Sequence, residues 1–310
     1  MRVVLGILTS VSLFFLFLGS GQAAPDVSAE HAILMDAERG EILFEKEAFE
    51  ESPIASITKI MTAILAIESG KMEETTTVSR KAVYTEGSSI YLEQGEKIKI
   101  KDLVYGLMLR SGNDAAVAIA EHIGESEEGF VYLMNEKARW LGMDNTNFKN
   151  PHGLDDEEHY SSAYDMAILT KEAMNNEHFK EISGAVSYLS ENRSYSWRNK
   201  HKLVTGYYSH ASGGKTGYTR RTGRTLVTTA EKDGNSLIAV TLNGPNDWND
   251  HISLFEWGFD ELDERNDKEG EELKLNDSEF DDTAFVQEPN NRLMSSLSSV
   301  FRKMVGIEPW

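Results

Sequence analysis

Apolar and polar positions follow several distinct patterns along this chain, each predicting a different kind of element. After a positive start at Arg2, an apolar run extends from Val3 to Leu18 and ends in small residues, with Gly21 and Ala23 flanking Gln22. That is the layout of a secretory signal cut after Ala23, placing the mature protein outside the cytoplasm. The alternative is an uncleaved anchor, but the run is shorter than the roughly 20 residues that span a bilayer. Next, "HAILMDAERGEILFE" alternates β-branched and aromatic residues around Arg39 and Gly40, predicting two short strands and a turn.

From Ser56 to Asn175 the spacing changes to three and four, as in "IKDLVYGLMLRSG" and "NDAAVAIAEHIG", and predicts helices. In the first of them Ile57, Ile60, Met61 and Ile64 form an apolar stripe. Strands return in "RTLVTTAEKDGNSLIAVTLN", with "EKDGN" as the hairpin turn, and "DHISLFEWGF" predicts a final helix ending near Phe259. Strands at both ends with helices between them predict one α/β unit over residues 24–259, whose sheet joins sequence-distant strands around a helical insertion. Residues 260–289 are dense in Asp and Glu and are expected to form a solvated linker. In residues 290–310, Leu293, Leu297, Val300, Phe301 and Met304 share one helical face flanked by Arg292, Arg302 and Lys303. Such an amphipathic helix suits a membrane surface; packing back on the main unit is the alternative.

Composition changes the picture in two respects. The 51 acidic residues outnumber 31 basic ones, for a net charge of −20, and no basic block is present to neutralise phosphates, so nucleic acid is not an expected partner. Cysteine is absent, which excludes thiol nucleophiles, disulfides and thiolate metal sites.

The candidate chemistry centres on "ASITKIMTA". Ser56 and Lys59 lie three apart, so one helical face carries a hydroxyl and an amine within mutual reach. A serine in a first helical turn also has a free backbone N–H to offer an oxyanion. The lysine accepts a proton only when neutral, a state favoured by burial and by a second cation nearby. Alone the signal is weak, since about one such spacing arises by chance in a chain this long. Ser111 and Asn113, between two helical patterns, and Lys215, Thr216 and Gly217, before a strand-like run, add a hydroxyl, an amide and the second cation.

Ser56 with Lys59, Ser111 with Asn113, and Lys215 with Thr216 and Gly217, separated by gaps of about 55 and about 104 residues, resemble the three motifs of penicillin-binding proteins and serine β-lactamases. With "NPHGLDDEEHYSSAYDMA" and "GGKTGYT", the chain is most similar to the low-molecular-mass D-alanyl-D-alanine carboxypeptidases, and among them to the sporulation-associated members of endospore-forming bacteria. The resemblance implies a β-lactamase/transpeptidase-like α/β fold, an antiparallel sheet flanked by helices with a helical subdomain. It implies Ser56 as nucleophile, Lys59 as its base and Ser111 as proton relay. Asn113, Lys215, Thr216 and Gly217 would bind substrate, with Tyr218 offering a backbone N–H beside that of Ser56. The implied partners are peptidoglycan stem peptides and, as covalent inhibitors, β-lactams. No metal or organic cofactor is implied, and a monomer is expected.

Arg224 has two readings, a bidentate partner for the substrate carboxylate or a surface salt bridge. His152, His159 and Asp165 are expected to shape the cleft wall. Many relatives carry a further β-rich domain, for which the residues after Phe259 are too few and too acidic. A non-catalytic sensor of stem peptide or β-lactam and a β-lactamase are the competing functions. The second lacks a clear carboxylate base, although Asp155 to Glu158 is acidic.

Overall fold

The computed structural model describes residues 23–281. Residues 1–22 of the predicted signal segment and the predicted helix at 290–310 lie outside the described residues. Strands β1 (His31–Asp36) and β2 (Ile42–Lys46) lead through a 3-10 turn over Ala55–Thr58 into α1 (Lys59–Glu68). Short strands β3 (Thr75–Thr77) and β4 (Lys97–Lys99) flank α2 (Arg80–Val83). Helices α3 (Ile100–Arg110), α4 (Asn113–Ile123), α5 (Glu127–Leu141), α6 (Ala163–Met174) and α7 (Glu177–Gly184) follow. A two-residue pair, β5 (Ser187–Tyr188) and β6 (Trp197–Arg198), precedes β7 (Ala211–Thr219), β8 (Gly223–Lys232), β9 (Asn235–Leu242) and α8 (Asp247–Asp281).

The main sheet is antiparallel in the order β2-β1-β9-β8-β7, so the N-terminal hairpin joins strands some 200 residues away, as the end-to-end distribution of strand patterns predicts. Its inner strands β1 and β9 read as nearly continuous apolar runs because both of their faces are covered. In β1, Ile33 and Met35 face the helical core while Ala32 and Leu34 face Leu254, Phe255 and Phe259 of α8. The register keeps these sets together: Ile33 pairs with Val240 and Met35 with Ile238 on the helical side, Leu34 with Ala239 on the other. A one-residue slip would exchange every pair between two differently shaped cores.

The stripe of Ile57, Ile60, Met61 and Ile64 does not belong to an amphipathic surface helix: α1 is buried on nearly all sides, including Lys59 and Thr62, because α3, α4 and α6 pack around it. The helix predicted to end near Phe259 instead continues through Asp281, since the Glu, Leu and Lys beyond it favour helix and no proline interrupts them. The Lys215-Thr216-Gly217 triplet lies within β7, directly ahead of the predicted strand run that forms β8. The compact unit closes at Leu262, and residues from Asp263 form a second unit, of which the end of α8 is described.

Candidate active site

Three segments meet between the helical core and the edge strand β7. The first presents Ser56. Ala55, immediately before it, has φ +49°, a left-handed conformation that costs a residue with a Cβ about 1 kcal/mol or more. Contacts from three directions hold it there. Thr58 Oγ1 donates to the Ala55 carbonyl oxygen at 2.8 Å, Thr225 Oγ1 donates to the Ile54 carbonyl oxygen at 2.9 Å, and Gly153 packs against the Ala55 carbonyl. The result is a half-buried Ser56 at the head of the α1 run.

Lys59 is fully buried with Nζ 2.9 Å from Ser56 Oγ, and it also donates to the His152 carbonyl oxygen. Burial pushes the Lys59 pKa well below its usual value, and the neighbouring cations Lys215 and Lys200 lower it further, in that order, against a smaller opposing effect of Asp114. A neutral amine hydrogen-bonded to a hydroxyl can take its proton.

The second segment is the α3–α4 junction, where the predicted loop is only two residues. Ser111 caps α3 in the left-handed region at φ +63°, and Gly112 precedes Asn113, the first residue of α4. This sharp reversal turns the Ser111 hydroxyl toward β7, 3.1 Å from Lys215 Nζ. Asn113 Nδ2 donates to the Glu86 carbonyl oxygen at 2.7 Å, leaving Oδ1 a buried acceptor with no protein partner. An unmet acceptor of this kind suits an amide N–H from a ligand.

The third segment is β7. Lys215 is buried, donates to the Thr216 carbonyl oxygen at 2.8 Å, and has its pKa pushed down to about 7, first by burial and then by Lys200. At Gly217 the strand passes beside the nucleophile so closely that a Cβ would lie 2.9 Å from the Ser56 nitrogen. Glycine thus keeps the space in front of that N–H open. Ser56, Ser111, Thr216, Gly217, Tyr218 and Arg224 line one cleft of about 350 Å³. Arg224 lines this cleft, and its Nε lies 3.6 Å from Asp247 Oδ1, the ion pair of its second reading.

His152 and His159 stand behind the site. His159 Nδ1 accepts from the Lys149 backbone N–H at 3.1 Å, so Nε2, 2.8 Å from Thr58 Oγ1, carries the proton. Burial lowers the His159 pKa to about 4 and the His152 pKa to about 3. Asp165 Oδ2 accepts from Thr146 Oγ1 and the Asn145 backbone N–H, while the Asp165 backbone N–H donates to Ser162 Oγ, which makes the residue a structural anchor. Asp155 accepts from Thr219 Oγ1 at 2.8 Å.

Several contributors were not singled out from sequence. Lys200 lines the cleft and acts on both buried lysines. Buried Asp114 accepts from Ser89 Oγ at 2.6 Å and from the backbone N–H groups of Ile90 and Leu92 at 3.1 Å, fixing the loop opposite. Its position directly after Asn113 was the available signal; nothing local announces Lys200 or the strain at Ala55.

The fold and this Ser/Lys/Ser/Lys cluster define the β-lactamase/transpeptidase-like class. Within it, the chain belongs to the D-alanyl-D-alanine carboxypeptidase family, whose model matches residues 19–246. It is 42% identical to the D-alanyl-D-alanine carboxypeptidase DacF of Bacillus subtilis over 220 residues, covering 68% of this chain and 56% of that protein. It is 34% identical to DacC of Escherichia coli over 276 residues, covering 82% and 68%. The crystal structure of a Mycobacterium tuberculosis D-alanyl-D-alanine carboxypeptidase superposes with a TM-score of 0.73 at 30% identity, covering 78% of this chain and 94% of that one.

Proposed function

We propose that the protein is a serine D-Ala-D-Ala carboxypeptidase that removes the terminal D-alanine from peptidoglycan stem peptides. The observation that carries this is the 2.9 Å contact between Ser56 Oγ and a buried Lys59 whose ammonium form is disfavoured by two further cations. Lys59 takes the Ser56 proton as Oγ attacks the carbonyl between the two D-alanines. The Ser56 and Tyr218 N–H groups hold the oxyanion. Asn113 Oδ1 accepts the substrate amide, and Lys215 with Thr216 and Arg224 receives the terminal carboxylate. Ser111, hydrogen-bonded to Lys215, relays a proton to the departing amine. Water then releases the shortened peptide from Ser56.

β-Lactams enter the same cleft and acylate Ser56. Among the described residues the one carboxylate lining the cleft is Asp247, which is occupied by Arg224, so slow deacylation is expected and a β-lactamase is not favoured. Export is supported by the signal-like start. The family alignment to residue 246, the acidic composition after 260 and the apolar face at 290–310 support a catalytic unit followed by a spacer and a membrane-surface helix. Likeness to DacF supports a role in sporulation, and a monomer remains the working state. D-Alanine release from a peptide ending in D-Ala-D-Ala, compared between wild type and Ser56→Ala, tests the reaction. Release absent from wild type that still labels with fluorescent penicillin would replace the enzyme with a sensor.

A further inference from the structure

A second hollow of about 460 Å³ adjoins the cleft and has no part in the reaction just described. Arg110, Arg198 and Lys200 line it with the exposed rings of Tyr91 and Tyr195, and it shares Ser88 and Lys200 with the cleft. Among the described residues no carboxylate lines it. Arg110 Nη1 donates to the Arg198 carbonyl oxygen at 3.0 Å and Lys200 Nζ to Ser88 Oγ at 3.4 Å, and among the described residues none of the three cations is paired with an acid. In a chain of net charge −20, three clustered cations with no acid among them are a local reversal of sign.

The cluster is held together against its own repulsion. The Lys200 pKa is lowered by burial and then by Arg110, so the cations raise one another's energy with nothing opposite to offset it. Its walls are also fixed in advance. Asp114 clamps residues 89–92, and Arg193, in the segment that carries Tyr195, forms a double contact with Glu96 at 2.6 and 3.1 Å. Preformed, unneutralised guanidinium groups beside a peptide-binding cleft suit a carboxylate, which they bind through charge-assisted hydrogen bonds.

We propose that this hollow is an anion subsite for a carboxylate that the substrate carries outside its scissile D-Ala-D-Ala carbonyl and terminal carboxylate. The proposal rests on the carboxypeptidase reading and specifies its substrate: acidic wall peptides are preferred over their amidated counterparts. The carboxylate has two possible sources, the side chain of the residue preceding the D-alanines or that of an acidic residue in place of the terminal D-alanine.

Two peptide pairs separate them. The first is acetyl-L-Glu-D-Ala-D-Ala against its L-Gln counterpart, and the second is acetyl-L-Gln-D-Ala-D-Glu against the same peptide ending in D-Gln. Both kcat/KM of the full-length wild type and the calorimetric Kd of Ser56→Ala are measured for all four. One acidic member is expected to be favoured about tenfold, a ratio typical of one charge-assisted contact. That ratio falls toward one in Arg198→Gln, which keeps the backbone carbonyl that Arg110 contacts, and in wild type at raised salt. The favoured pair identifies the source. Hydrolysis of all four without acid preference overturns the subsite and leaves the carboxypeptidase standing. Acid-selective binding by Ser56→Ala without hydrolysis by wild type does the reverse. A preference unchanged in Arg198→Gln and in Arg110→Gln also overturns it.

Discussion

Gly153 packs against Ala55 so closely that a β-carbon at position 153 would overlap the Ala55 carbonyl oxygen and lie 2.8 Å from Thr58 Oγ1. Ala55 is the strained residue before the nucleophile, so the contact couples the far cleft wall to the aim of Ser56. Gly153 has φ +81°, where any Cβ adds strain of its own. Gly153→Ala is therefore expected to cost about 2 to 4 kcal/mol in denaturant unfolding and to slow penicillin acylation by roughly tenfold or more.

The two buried lysines have opposite requirements. Lys59 works when neutral, so activity rises as it loses its proton; Lys215 binds a carboxylate when charged, so activity falls as pH rises through its value of about 7. The pH profile of kcat/KM is expected to be a bell. Lys200 lowers both pKa values, so Lys200→Gln should move both limbs to higher pH. Limbs that stay in place would show that Lys200 does not act on the pair.

Asp114 is buried and meets the 89–92 loop at three donors. Asp114→Ala leaves the backbone N–H groups of Ile90, Leu92 and Ala115 without this acceptor, with an expected loss of about 2 to 3 kcal/mol. Because the same loop region carries Glu86, which holds Asn113, KM for the peptide should rise; thermal melts and steady-state kinetics check both effects.

His152, His159 and His201 are buried and neutral, with pKa values lowered to about 3, 4 and 4, chiefly by desolvation. In the unfolded chain each titrates near 6.5, so below that pH the unfolded state binds more protons. Stability is thus whole above about 6.5 and declines as pH falls toward 4. His201 sits at 3.0 Å from the Val227 carbonyl oxygen and 3.1 Å from Thr228 Oγ1. A His201→Gln variant, less stable at neutral pH, should show a shallower loss between pH 7 and 4.5 in urea midpoints.

The elements of the compact unit were legible from spacing, since helix and strand periods are local properties of the chain. Both hairpins, the helical middle and the order Ser56, Lys59, Ser111, Asn113, Lys215 could be read directly. What spacing could not report is the environment of each element. The burial of α1 on nearly all sides, the left-handed Ala55 held by Gly153, and the position of Lys200 depend on segments about 30 to 170 residues apart in sequence that meet only in the folded chain.

By itself, the sequence determined which groups are available: a hydroxyl three residues from an amine, a second lysine on a strand, and a chain poor in cations. The tertiary structure alone decided that these groups form a site. Burial sets the protonation of Lys59 and Lys215, because desolvation and mutual repulsion are fields summed over everything nearby, and no local pattern encodes that sum.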